Sequence, residues 1–177
     1  MNHENKSYNF IWEGLGNIDE GRKNLGENMP VLIYRLFQYT LKDILAREYD
    51  EETIGLHYRA AGYLAGKEFA KNMLDISGDF DAFIADMANK LQKLKMGILH
   101  MEKEDSISFI LALSEDIDCS GRDISGEMVC GYYEGLIGGI FEAYSNKPFT
   151  VKKISCRSTG DGACRFRVME QQEGEKV

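Results

Sequence analysis

The chain has 177 residues, 44% hydrophobic and 28% charged, with a formal net charge of −8 at pH 7. That composition fits one globular domain with a real core, and the acidic balance excludes a nucleic-acid surface, which needs a basic stripe to neutralise phosphates. No apolar run approaches the roughly 20 residues of a membrane span, and the polar start Met1–Lys6 lacks the apolar stretch of a signal peptide, so the expectation is a cytoplasmic protein with no membrane insertion.

Residues 1–28 read as an N-terminal segment. A frayed tail runs to about residue 9. Phe10-Ile11-Trp12 follows as a short strand or anchor, then a loop broken by Gly14, Gly16, Gly21 and Gly26, with room for one short helix. Residues 29–170 read as a single domain. Met29-Pro30 opens a helix in which Val31, Leu32, Phe37, Leu41, Ile44 and Leu45 recur at helical spacing, interrupted by Arg35, Gln38, Lys42 and Asp43. A second helix spans about 50–74 around Ala60-Ala61-Gly62-Tyr63-Leu64-Ala65-Gly66. Small residues at i and i+4 let another backbone approach closely. The same character returns at Gly131–Gly139, so these two helices are expected to pack near each other. Asp79 is an N-cap candidate for a third helix over 80–95, with Phe83, Ile84, Met87, Leu91 and Leu94 on one stripe. Residues 97–102 and 106–113 read as a hairpin. Residues 114–125 are acidic and turn-rich, and the next helix runs from near Met128 to Asn146. Strands at 149–157 and 163–170 close the domain around Ser158–Gly162, and 171–177 read as a disordered tail.

All four cysteines, Cys119, Cys130, Cys156 and Cys164, lie in the last third. Strand alternation puts Ile154, Cys156, Cys164, Phe166 and Val168 on the apolar side of the final hairpin, and Lys153, Ser155, Arg157, Arg165 and Arg167 on the other. Cys130 falls at a helix start, where the helix dipole stabilises a thiolate. In a reducing cytosol two structural disulfides are disfavoured. Four soft ligands suit a tetrahedral zinc site, but the spacing C-x10-C-x25-C-x7-C is neither a zinc-ribbon nor a ferredoxin pattern. Metal ligands, buried core thiols and a redox pair at Cys156 and Cys164 all remain open on spacing alone.

Aromatic residues Tyr63, Phe109, Tyr132, Tyr133 and Phe141 are candidates to line a pocket between helices and sheet for a small apolar or aromatic ligand, with ordinary core as the plain alternative. No dinucleotide fingerprint, P-loop or nucleophile elbow is present, and no catalytic residue is assigned. A haem needs a proximal histidine. His57 and His100 are available, but a lone histidine is more often structural, and haem is not expected.

The motif Val129-Cys130, Gly135-Leu136-Ile137-Gly138-Gly139 and Cys156-Arg157-Ser158-Thr159-Gly160-Asp161-Gly162-Ala163-Cys164-Arg165-Phe166 resembles the 4-vinyl reductase domain family, with a similar loop at Cys119-Ser120-Gly121 and a similar earlier helix at Gly62–Ala70. The resemblance covers about 30–169. It implies an α+β fold, helices packed on an antiparallel β-sheet, shared with trafficking-complex (TRAPP) subunits and haem-based nitric oxide sensors, commonly dimeric and with a buried pocket for a small apolar ligand. Phenol-sensing members hold zinc with three cysteines and a glutamate. The cysteines carry over to Cys130, Cys156 and Cys164, while the glutamate position is Lys153 here and leaves Cys119 as a fourth donor. The expectation is a sensor-type ligand-binding domain with a structural zinc at Cys119, Cys130, Cys156 and Cys164, a homodimer, and not an enzyme. The alternatives are a protein-interaction scaffold resembling the trafficking subunits, a thiol redox sensor and, last, a tetrapyrrole vinyl reductase.

Overall fold

Side-chain caps fix where three of the helices begin. In the computed structural model, which describes residues 9–103, 108–123 and 131–171, Asn17 caps α1 (Ile18–Gly21) by accepting the Glu20 N–H. Helix α2 spans Val31–Leu45 behind Pro30. Asp50 accepts the Thr53 N–H at 2.7 Å to start α3 (Glu51–Met73), and Asp79 accepts the Ala82 N–H at 2.9 Å to start α4 (Phe80–Lys93). The strands are β1 (Ile98–Lys103), β2 (Ser108–Ser114), β3 (Phe149–Ser155) and β4 (Cys164–Glu170), with α5 (Gly131–Ser145) between β2 and β3. They form one antiparallel sheet in the order β1-β2-β4-β3. Among the described residues no helix is long and apolar enough to cross a membrane.

The helices cover one face of the sheet. Leu99, Leu111, Leu113, Val151, Cys164, Phe166 and Val168 are buried, and the register pairs Leu113 with Cys164 and Leu111 with Phe166. Phe83, Phe141 and Phe166 are fully buried in the core between helices and sheet, and Tyr144 stacks on Phe83 at 4.0 Å. Apolar burial of this kind is the main favourable term in folding.

Helices α3 and α5 meet backbone to backbone. A Cβ at Gly62 would collide with the Tyr132 carbonyl oxygen, at Gly66 with that of Leu136, at Gly135 with that of Arg59 and at Gly139 with that of Tyr63. The two small-residue faces thus pack on each other as the sequence predicts. Arg59 pairs with Glu134 at 2.7 Å and Lys67 with Glu142 at 2.9 Å along the same seam, and the Tyr63 hydroxyl donates to Glu142.

Three expectations are corrected. Trp12 starts a short 3-10 turn (Trp12–Leu15), not a strand. Leu94 lies past the end of α4 and is 44% exposed, because the helix stops one residue before it. In β3, Ile154 is 40% exposed and Lys153 pairs with inward-facing Phe166, the reverse of the predicted phase. A bulge between Lys153 and Ser155 inserts Ile154 as an unpaired residue; it shifts the alternation by one and still brings Cys156 inward. The strand also ends at Ser155, and Arg157–Thr159 forms a 3-10 turn.

Helix α2 has no buried residue. Leu32, Leu36 and Phe37 are 60–72% exposed, so its strong amphipathic pattern is not spent on this chain's own core.

Candidate functional site

The acidic loop after β2 and the final hairpin bring three thiols together. Cys119, Cys156 and Cys164 are all essentially inaccessible to solvent. Cys156 Sγ lies 3.8 Å from the sulfurs of both Cys119 and Cys164, and the three sulfurs fall within 4.8 Å of one another. A zinc ion with Zn–S bonds of about 2.3 Å in tetrahedral geometry sets its sulfurs about 3.8 Å apart. Donor chemistry and spacing therefore fit a thiophilic metal. Cys130 lies outside the described residues.

One aspartate ties this corner. Asp116, 2% exposed, accepts the backbone N–H groups of Asp118 at 3.0 Å and Cys119 at 2.6 Å. Its other oxygen lies 3.6 Å from Cys164 Sγ. Burial, and then the Cys164 thiol beside it, push its carboxyl above the ordinary range.

The same loop holds α2. Arg35 donates to the Ile117 carbonyl at 2.5 Å and the Ser120 carbonyl at 2.7 Å. Tyr34 Oη donates to Asp118 Oδ1 at 2.9 Å, Gln38 Nε2 to the same oxygen at 3.2 Å, and Tyr39 Oη to the Asp118 carbonyl at 3.0 Å. Asp118 is 1% exposed; burial pushes its carboxyl up to about 6 even though Tyr34 and Gln38 donate to it. The latch is polar, which explains how a helix with no buried side chain stays docked.

Beneath α2 lies a cavity of about 500 Å³. Its apolar wall is Phe37, Leu41, Leu45, Ala61, Met96 and Ile117. Its polar and aromatic wall is Tyr34, Gln38, His57, Tyr58, Tyr132 and Tyr133. That size and mixture suit a small organic molecule. Ile117 and Cys119 are two residues apart, so the cavity and the thiol corner share one loop.

The structure brings Tyr132 and Tyr133 to the cavity, with Tyr133 Oη donating to the Met96 carbonyl at 3.1 Å. It does not bring the other three pocket candidates there. Phe109 and Phe141 pack at a tilt in the helix–sheet core, centroids 5.1 Å apart, and Tyr63 joins the α3–α5 seam through Glu142. Asp116, Asp118, Tyr34, Arg35 and Gln38 are not among the sequence candidates. Their signal is present nonetheless: two aspartates flank Ile117 just before a cysteine, and Arg35 and Gln38 interrupt an otherwise apolar helix face.

Residues 109–170 match the family model of the V-4-R domain, the 4-vinyl reductase domain. An uncharacterised protein of Methanocaldococcus jannaschii is 28% identical over 156 residues, covering 88% of this chain and 84% of the relative. Three solved structures share the fold. A vinyl-4-reductase family protein from Methanocaldococcus jannaschii superposes with a TM-score of 0.58 at 16% identity, covering 83% of this chain and 85% of that one. A trafficking protein particle complex subunit 3 from Naegleria fowleri, covalently bound to palmitic acid, gives 0.65 at 13%, covering 80% and 95%. The phenol-responsive sensory domain of the transcription activator PoxR, with phenol, gives 0.59 at 15%, covering 84% and 81%. The expected α+β fold, helices on an antiparallel sheet, is borne out, and the stretch that carries all four cysteines matches the model of the family that its cysteine and glycine motifs resemble.

Proposed function

We propose that this chain is a sensor-type, small-molecule-binding domain, not an enzyme, in which the cavity under α2 takes an apolar or aromatic ligand and the thiol corner holds a structural zinc ion. The observation that carries this reading is the shared loop: Ile117 lines the cavity and Cys119 sits 3.8 Å from Cys156, so occupancy of one site is felt at the other. Cys119, Cys156 and Cys164 would hold the zinc, with Cys130 as the expected fourth donor. Asp116 would fix the loop from behind as an outer-shell group. Such a zinc would supply structure, cross-linking the loop to the hairpin. The likeness in fold to a phenol-responsive sensory domain and to a palmitate-bound trafficking subunit supports the ligand reading.

The proposed location is the cytoplasm, and the exposed apolar face of α2 supports a homodimer there, because so many large apolar side chains on one helix call for a partner. The test combines elemental analysis, native mass spectrometry and thermal shift on the purified protein. The expected result is one zinc per chain, a dimer mass, and a rise in Tm with 2-methylnaphthalene as an apolar probe. A zinc-free protein with free thiols and no response to the probe defeats the reading and leaves the interaction scaffold.

A further inference from the structure

One chain leaves the cavity under α2 unfinished. A binding pocket encloses about 70–90% of a small ligand's surface. Here Phe37 and Leu41, part of the α2 wall, are 68% and 41% exposed, and His57 and Ala61 on the α3 wall are exposed as well. The opening continues outward as apolar surface. Twelve large apolar side chains between Ile11 and Ile44 are 41–76% exposed. Residues 9–29 have no buried side chain, and among the described residues all their hydrogen bonds are internal. They form an arm that the body of its own chain does not hold.

Area and charge select a second copy as the partner. At roughly 100 Å² apiece, twelve such side chains exceed the ~800 Å² that each side of a standard interface buries, and the 300–600 Å² or so of the largest patch on a typical monomer. The chain carries a net charge of −8, so two copies repel where their average surfaces meet. Residues 9–45 carry five acidic and four basic side chains, so here two copies meet at little electrostatic cost. The face also pairs a hollow, the cavity mouth, with projecting residues, Leu32 and Leu36 at 72% and 60% exposure. A surface of that kind matches itself across a two-fold axis.

We infer that a second copy of this chain lays its own α2 and arm across the cavity mouth, so that the ligand site is complete only in the dimer. This rests on the cavity being a ligand site and adds what regulates it: assembly and binding are coupled. The test uses Leu32→Glu and Leu36→Glu in the full chain. Both residues are exposed and neither lines the cavity, so each variant keeps the fold and the wall of its own chain. Sedimentation velocity should show a wild-type dimer and, at the same concentration, monomeric variants. Titrated with 2-methylnaphthalene, the monomers should bind at least tenfold more weakly than the wild type. Coupling is reciprocal, so saturating 2-methylnaphthalene should tighten wild-type dimerisation at least tenfold. A monomeric variant whose affinity falls less than tenfold, dimerisation indifferent to the probe, or two variants that both stay dimeric overturns the inference and leaves the cavity reading intact. So does a wild-type monomer that binds the probe. A wild-type dimer that does not bind it overturns both.

Discussion

Gly66 on α3 faces Leu136 on α5 so closely that a Cβ on residue 66 would land on the Leu136 carbonyl oxygen. Backbone on one side and backbone on the other leave nothing that can swing away. Gly66→Ala should therefore cost about 1–3 kcal/mol or more, read as a lower urea midpoint. Gly55→Ala, on the same helix but with nothing within 4 Å of the new methyl, should instead stabilise by about 0.5–1 kcal/mol. Equal effects from the two substitutions would contradict the close approach.

The thiol corner predicts a metal-dependent fold. Cys156 is the sulfur shared by both short contacts. Cys156→Ser should abolish zinc in elemental analysis, and stripping the wild-type protein with a strong chelator should lower Tm by about 10 °C or more. A chelator-treated protein that melts unchanged rules out a structural ion.

Asp116 makes a prediction that separates geometry from charge. Asp116→Ala leaves the buried N–H groups of Asp118 and Cys119 without their acceptor, at about 1–3 kcal/mol for each unsatisfied group. Asp116→Asn keeps an oxygen in that place and should recover most of the loss. Chemical denaturation of the two variants side by side distinguishes them.

Helix α2 should be the first part of the body to open. Its hold comes from Arg35 and the tyrosine–aspartate contacts. A charge-assisted hydrogen bond is worth about 1.5–3 kcal/mol, so Arg35→Met should reduce amide protection across Val31–Leu45 by about 10–100-fold. Protection in α5, whose middle is fully buried, should not change. Hydrogen exchange with peptide-level readout checks both halves.

Glu142 ties α3 to α5 through a charge. Burial pushes its carboxyl upward, but the hydroxyl of Tyr63 and the ammonium of Lys67 outweigh that and hold it below the usual range. A lowered carboxylate stabilises the fold at pH above its unfolded value, about 4.3 for glutamate, and that stabilisation is lost as pH falls through the lower folded value. Tyr63→Phe should flatten this acid limb of the stability curve between about pH 5 and 3. An unchanged slope would falsify the coupling.

Much of this molecule is legible in its sequence. Asp50 and Asp79 mark helix starts, the glycines of α3 and α5 reveal which helices touch, and the β4 alternation from Cys164 to Val168 gives the buried face. Other features leave no such trace. The bulge at Ile154 is one extra residue, and a single inserted residue changes neither composition nor apolar content while reversing the phase of everything beside it. Periodicity also tells an inward residue from an outward one, but not a cavity wall from a filled core. Phe109 and Phe141 are therefore core, whereas Tyr34 and Gln38, on a helix whose apolar stripe polar residues interrupt, line the cavity. The partners of α2 lie some 80 residues away in sequence, and no local pattern announces a contact of that range.

The loop Asp116–Ser120 also constrains how this protein can change over time. Five consecutive residues supply a cavity wall, three anchors for a helix at Ile117, Asp118 and Ser120, and a buried thiol. On the proposed reading, a substitution of Ile117 that retunes ligand preference acts two residues from Cys119, and loss of the thiol would free the wall. On that reading, binding preference and metal retention would not be separately adjustable traits in this chain; a lineage that abandoned one would have to rebuild the other.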